Sequence, residues 1–126
     1  MNNEIPQVSE AEWEVMKILW AHHPLSSNEI VERLEGRAQW KEKTIKTLIS
    51  RLVNKKALGY TQNGRAYSYY PLVSEEECIK AENRSFLRKI YGGALKPMLV
   101  HFMQDGKLTR AEIEELKQIL ENKEQR

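Results

Sequence analysis

The chain has 126 residues, 40% hydrophobic and 30% charged, which suits one domain or two small ones with a buried core. No apolar run approaches the roughly 20 residues of a membrane span, the polar N-terminus lacks a secretory leader pattern, and the single cysteine, Cys78, excludes an intrachain disulfide. A cytoplasmic protein with no membrane insertion is expected.

The net charge of +2 hides a segregated distribution. Residues 1–36 carry two basic side chains against seven acidic ones, residues 37–65 carry eight against Glu42 alone, and from residue 74 onward ten of each sign cancel. A block this lopsided is either a solvated basic face or a surface for an anionic partner.

Four places show Ser or Thr followed three residues later by Glu, the pattern in which two helix-end donors are satisfied reciprocally: Ser9/Glu12, Ser26/Glu29, Ser74/Glu77 and Thr109/Glu112. Each precedes apolar residues at helical spacing. The first helix is expected from about Ser9 to His22, with Ala11, Val15, Ile18 and Leu19 inward and Trp13, Met16 and Trp20 widening the apolar side; Pro24 stops it. A shorter helix follows from Ser26 to Leu34, with Ile30, Val31 and Leu34 inward and Gly36 at its end. Gly36 to Trp40 forms a turn into a third helix, KEKTIKTLISRLVNKK, residues 41–56.

At roughly 100° per residue, Ile45, Leu48, Ile49, Leu52 and Val53 of this third helix gather on one side. Lys43, Thr47, Ser50 and Asn54 gather opposite, with Arg51 beside them and Thr44 and Lys46 flanking the apolar stripe. A helix that merely meets water usually mixes Glu with Lys one turn apart. Here no acid follows Glu42, and the outward residues are those that donate to phosphate oxygens or base edges.

Beyond Ala57 the periodicity changes to two. LGYTQNGRAYSYYPLV reads as a hairpin around Asn63-Gly64, residues that accept the positive φ of a type I′ turn. Leu25 is placed to add a very short third strand. Three helices and a hairpin make a winged helix-turn-helix, expected over residues 1–73. In that arrangement the third helix enters the major groove with its N-terminal residues leading. Lys43, Thr44, Lys46 and Thr47 then meet the groove floor, Ser50, Arg51 and Asn54 lie nearer the backbone, and Arg65 at the wing tip meets phosphate or a minor groove.

Residues 74–126 return to helices: Glu75 to Tyr91 ended by Gly92-Gly93, Ala94 to Met103, and Thr109 to about Asn122. About fifty residues bury too little surface to stand comfortably alone. A second copy would complete the core, through Phe86, Leu87, Ile90, Leu95, Met98 and Leu99 and then Phe102, Ile113, Leu116, Ile119 and Leu120. The alternative folds these helices back on the first 73 residues of the same chain.

VSEAEWEVMKILW, KTIKTLISRLVNKKAL, YYPLV, FLRKIYGGALKPMLVHF and AEIEELKQIL, taken in order, resemble the penicillinase-repressor and methicillin-resistance-repressor family (BlaI/MecI type) across nearly the whole chain. The resemblance implies a mostly α winged-helix homodimer with a small β-wing and an α-helical dimerisation domain. It implies binding to palindromic operators with TACA/TGTA-like half-sites, which represses a β-lactamase or a resistant transpeptidase gene. It also implies induction by a membrane-bound sensor protease, acting directly or indirectly, that leads to cleavage in the dimerisation domain. DNA contact is carried onto Lys43, Thr44, Lys46, Thr47 and Arg51, and dimerisation onto the helices from Ser74.

Three positions depart from the family pattern. Lys41-Glu42 stands where Ser-Pro is usual, Lys46 where Arg is usual, and His101-Phe102 where the scissile pair is Asn-Phe. A lysine cannot reproduce a bidentate fork to guanine, so operator preference is expected to differ. His101-Phe102 is the candidate cleavage site; a surface or interface role for His101 is the alternative.

No phosphate loop, nucleophile elbow or HExxH occurs, so enzyme activity is not expected. His22-His23 suits helix C-capping, and Cys78 and His101 are not spaced to complete a metal site with it, so neither metal nor other cofactor is expected. Cys78 is either a redox switch with lowered pKa or a small core residue. The other function class left open is a winged-helix protein-interaction module whose basic face meets an acidic protein.

Overall fold

The computed structural model describes residues 4–35, 40–106 and 108–124. Its order is α1 (Glu10–Ala21), α2 (Ser27–Leu34), α3 (Glu42–Asn54), β1 (Leu58–Asn63), β2 (Ala66–Pro71), α4 (Glu75–Tyr91), α5 (Leu95–Gln104) and α6 (Arg110–Glu124). This is the expected mostly α architecture with a small β-wing.

All four capping boxes form. At α1 the Glu12 N–H donates to Ser9 Oγ at 3.2 Å while the Ser9 N–H donates to Glu12 Oε1 at 2.9 Å. Ser26/Glu29, Ser74/Glu77 and Thr109/Glu112 repeat the reciprocal pair. Each box satisfies two of the donors that a helix start leaves orphaned. α3 has no such device: its N-cap, Lys41, makes no side-chain cap bond.

Packing divides the chain into two units, residues 1–83 and 84–126. The division falls inside α4, ten residues beyond the pattern change at 73/74, because Cys78 on the first turn of α4 is buried in the core of the first unit. That core joins Val15, Met16, Ile18 and Leu19 of α1, Ile30, Val31 and Leu34 of α2, and Ile45, Leu48, Ile49 and Leu52 of α3. Ala57 and Leu58, entering the wing, complete it. Each fully buried aliphatic side chain contributes about 1.5–3 kcal/mol. The expected turn between the second and third helices falls mostly on residues 36–39, outside the described residues.

α3 ends in a Schellman motif. The Lys56 N–H donates to the Val53 carbonyl at 3.0 Å and the Ala57 N–H to the Leu52 carbonyl at 2.9 Å, with Lys56 at φ 67° in the left-handed region. Ala57 and Leu52, the two positions whose apolar contact often accompanies this motif, are both buried, and the chain turns straight into β1.

In the antiparallel hairpin, Asn63 pairs with Ala66, which leaves Gly64-Arg65 as the two-residue loop. Gly64 has φ +66°, and Lys56 is the only described non-glycine residue with positive φ. Positive φ at the first central residue alone is the type II′ pattern, so the expected type I′ turn at Asn63-Gly64 is corrected by one position. Leu25 does join the wing, as a single bridge to Tyr69 with N–O distances of 3.1 and 2.8 Å.

In the second unit, Gly92 and Gly93 take positive φ and end α4. Tyr91 stands edge-on to Phe86 at 6.1 Å between ring centroids, and its hydroxyl lies 3.0 Å from His101 Nδ1. No described residue of α5 or α6 is buried. Phe86, Ile90, Leu95, Leu99, Phe102 and Leu116 are 41–54% exposed, and Ile119 and Leu120 reach 58% and 64%.

Candidate nucleic-acid interface

Lys43, Thr44, Lys46, Thr47, Ser50, Arg51 and Asn54 are all exposed on α3, and Ile45, Leu48, Ile49 and Leu52 beneath them are buried. The aliphatic stripe therefore sets the rotation of the helix, and the polar side faces outward. A shallow groove on this side is lined by Glu42, Lys43, Lys46, Thr47 and Ser50. Thr44 and Arg51 line neither this groove nor the next. Arg65 is exposed in the hairpin loop, where the Gln62 side-chain amide donates to the Gly64 carbonyl at 3.0 Å and braces the tip.

Two local bonds define what the helix presents. Thr47 Oγ1 donates to the Lys43 carbonyl at 3.0 Å, so its proton is spent on the backbone and its methyl group and lone pairs are what remain for a ligand. Lys46 Nζ lies 2.9 Å from Glu42 Oε2, an exposed pair one turn apart.

A second hollow, lined by Ser50, Val53, Asn54, Tyr60, Tyr67 and Tyr69, joins α3 to the wing. Tyr60 stands edge-on to Tyr67 at 5.3 Å and tilted to Tyr69 at 6.2 Å. Burial first, then the neighbouring Tyr67 and Tyr60, push the Tyr69 phenol above its ordinary value against the pull of Lys46. The hairpin reading of the sequence did not single out this tyrosine cluster. Their period-two spacing, with Tyr60 opposite Tyr69 in the register, carried the signal.

Lys55 is not available to the outward face. Its Nζ donates to the Gln7 carbonyl at 2.9 Å and pairs with Glu12, whose side chain is 2% exposed. Burial pushes the Glu12 carboxyl up, but the Lys55 hydrogen bond, the Ser9 N–H and the Lys55 charge outweigh it and hold the group below its usual value. Lys55 thus ties the C-terminus of α3 to the N-terminus of α1.

Other groups take structural places. His23 Nδ1 lies 2.7 Å from the Leu19 carbonyl, capping α1. Cys78 is 2% exposed, and burial, then the Glu77 charge, push its thiol up, which suits the small core residue and not the redox switch. His101 and Phe102 are exposed on α5. Among the described residues no group of three or more His, Cys, Asp or Glu is placed to hold a metal ion, and no helix is long and apolar enough to cross a membrane.

Residues 8–122 match the penicillinase repressor family. The penicillinase repressor of Bacillus licheniformis is 40% identical over 123 residues, covering 98% of this chain and 96% of its own. The methicillin resistance regulatory protein MecI of Staphylococcus aureus is 36% identical over 123 residues, covering 98% and 100%. The solution structure of the Bacillus licheniformis BlaI monomeric form in complex with the blaP half-operator is 40% identical, covers 59% of this chain and 90% of that one, and aligns with a TM-score of 0.52. With matches of this extent at both the sequence and the fold level, the chain belongs to the penicillinase repressor family.

Proposed function

We propose that the chain is a transcriptional repressor that binds a palindromic operator as a homodimer and controls β-lactamase or β-lactam-resistance genes. One observation carries the reading. The exposed side of α3 offers Lys43, Thr44, Lys46, Thr47, Ser50, Arg51 and Asn54 with Glu42 as its single acid, held outward by a buried stripe. A relative in the same family, BlaI, has been solved on its half-operator.

On this reading α3 lies in the major groove, with Lys43, Thr44, Lys46 and Thr47 at base edges, Ser50, Arg51 and Asn54 toward phosphate, and Arg65 of the wing at the flanking backbone. Residues 1–73 bind DNA and the helices from Ser74 pair two copies. The exposed Phe86, Ile90, Leu95, Leu99, Phe102, Leu116, Ile119 and Leu120 support the pairing, since such a surface needs a cover. Val100, 39% exposed on α5, joins that surface although the sequence reading did not include it. Induction is assigned to a membrane-bound sensor protease, acting directly or indirectly, with His101-Phe102 as the cleaved bond. Both residues lie in α5, so local unwinding precedes cleavage.

A gel-shift titration tests the reading. A palindromic duplex with TACA/TGTA half-sites is expected to bind at least ~10³-fold tighter than a scrambled one, with affinity falling steeply as salt rises. Equal binding to both duplexes favours a protein-interaction module instead.

Two substitutions separate reading from folding. Lys46→Ala and Thr47→Ala are each expected to weaken operator binding by about tenfold, the scale of one lost base contact, while sedimentation still gives a dimer. Thr47→Val, which keeps the methyl but gives up the whole hydroxyl with its lone pairs, is expected to retain most of the affinity because the methyl makes the base contact. Equal losses in the Ala and Val variants would show that the hydroxyl itself reads the base.

A further inference from the structure

Glu42 is the only acid on a face otherwise made of donors, and it stands at the first residue of α3, where a major-groove helix leads. Its ordinary explanations are weak. At the helix end the carboxylate has the charge–dipole position of a first-turn acid, a small effect at an exposed site; its hydrogen bond runs forward along the outward face to Lys46 Nζ at 2.9 Å. That pair is exposed, 62% for Glu42 and 44% for Lys46, so it adds little to stability. Yet Glu42 lines the same groove as Lys43, Lys46, Thr47 and Ser50, the residues proposed to meet base edges.

We infer that Glu42 is a specificity-determining residue, which reads an exocyclic amino group in the major groove beside the base met by Lys46. The inference rests on the proposed placement of α3 in DNA. A carboxylate brought close to phosphates is disfavoured unless a donor meets it, and the major groove offers two kinds, cytosine N4 and adenine N6. A carboxylate has about four acceptor sites and Lys46 engages one, so a base donor is accommodated without breaking the pair. Guanine presents only acceptors at that edge, and thymine an acceptor and a methyl group. Opposite Glu42 each leaves the acceptor sites that Lys46 does not engage without a donor and faces them with further acceptors or a methyl group. Selection thus comes as much from rejecting guanine and thymine as from attracting the amine. Cytosine, whose N4 pairs with Glu most simply, is the expected first choice. Lys46 then serves two roles: it neutralises Glu42 and offers its remaining donors to an adjacent acceptor such as guanine O6 or N7.

Full-length wild type, Glu42→Ala and Glu42→Gln are each incubated with a pool of duplexes randomised across both half-sites, and the bound fraction is sequenced. Wild type is expected to favour cytosine, with adenine second, at one position per half-site by about fivefold or more. Glu42→Ala is expected to level that position to within about twofold, leave the other positions unchanged, and bind a scrambled duplex at least as tightly as wild type. Glu42→Gln is expected to move the preference to adenine, which a carboxamide contacts at N6 and N7. Circular dichroism and sedimentation on the same samples check that fold and assembly persist. A Glu42→Ala profile matching wild type at every position overturns the inference and leaves the repressor reading standing. Cytosine preference retained by Glu42→Gln also overturns it. A wild-type profile with no preference anywhere overturns both.

Discussion

A chain ending at Gly93 is expected to bind a two-half-site operator about 10²- to 10⁴-fold more weakly than the full chain. The cut removes α5 and α6 but leaves every residue of the first core, Val8 to Cys78, in place. The shortened chain is therefore expected to keep its α1–α3 and wing signals in circular dichroism, so the loss is not one of folding. What it forgoes is linkage. On the proposed dimeric reading, a copy of the full chain bound at one half-site holds its partner near the other, and the second binding step is effectively intramolecular. The control is a duplex with a single half-site, to which both chains bind with similar affinity. The shortened chain also shows a shallower dependence of affinity on salt, since one copy neutralises about half as many phosphates as two. Undiminished affinity of the shortened chain for the palindrome would remove dimerisation from the recognition mechanism, and assembly of that chain into dimers would move the interface into α1–α4.

The first unit was largely legible because its sequence satisfies local and tertiary demands with the same residues. Ser9, Ser26, Ser74 and Thr109 mark helix starts through bonds reaching only three residues, and such bonds need no knowledge of the fold. The stripe Ile45, Leu48, Ile49 and Leu52 identifies the inner side of α3, and the outer side follows by exclusion. What escaped depends on long-range geometry. The hairpin loop fell one residue later than the Asn63-Gly64 signal because register is set by how Tyr60 and Tyr69 pair across the strands. Cys78 belongs to the first core although it lies beyond the change of pattern at residue 74, because a buried surface is not bounded by helix starts. For the second unit, periodicity finds the helices but leaves Phe86, Ile90, Leu95, Leu99, Phe102, Leu116, Ile119 and Leu120 exposed in one chain, and a single sequence carries no direct record of what covers them.

Lys55→Met is expected to destabilise the protein by about 2–3 kcal/mol at neutral pH, less than the full cost of breaking a deeply buried pair because Lys55 is partly exposed and Ser9 still donates to Glu12. From sequence, Lys55 counts among the cations of the basic block. In the structure it neutralises a carboxylate 43 residues away. The pH dependence separates loss of that charge from loss of stem packing. Glu12 is held below its ordinary value of 4.5 in the folded chain, so its pairing contributes stability fully above that value, lost as pH falls through the folded one. Without Lys55, burial opposes ionisation with only the Ser9 bonds against it, and the variant's deficit is greatest at neutral pH and shrinks as Glu12 takes up a proton. Urea unfolding at about pH 7 and about pH 3.5 is the measurement, and an equal deficit at both would assign Lys55 a packing role alone. Glu12→Gln keeps a side chain able to complete the capping box and leaves Lys55 free to reach water, so it is expected to cost only about 1 kcal/mol. Combining Glu12→Gln with Lys55→Met removes the stranded anion, so the double variant is expected to be more stable than Lys55→Met alone, a coupling of opposite sign to simple addition. The bond joins the far end of α3 to the start of α1, beside the core and away from the groove of Glu42, Lys43, Lys46, Thr47 and Ser50. The folded fraction of Lys55→Met is accordingly expected to bind operator with nearly wild-type affinity. A cation that contacted phosphate directly would instead reduce the salt slope by about one when removed.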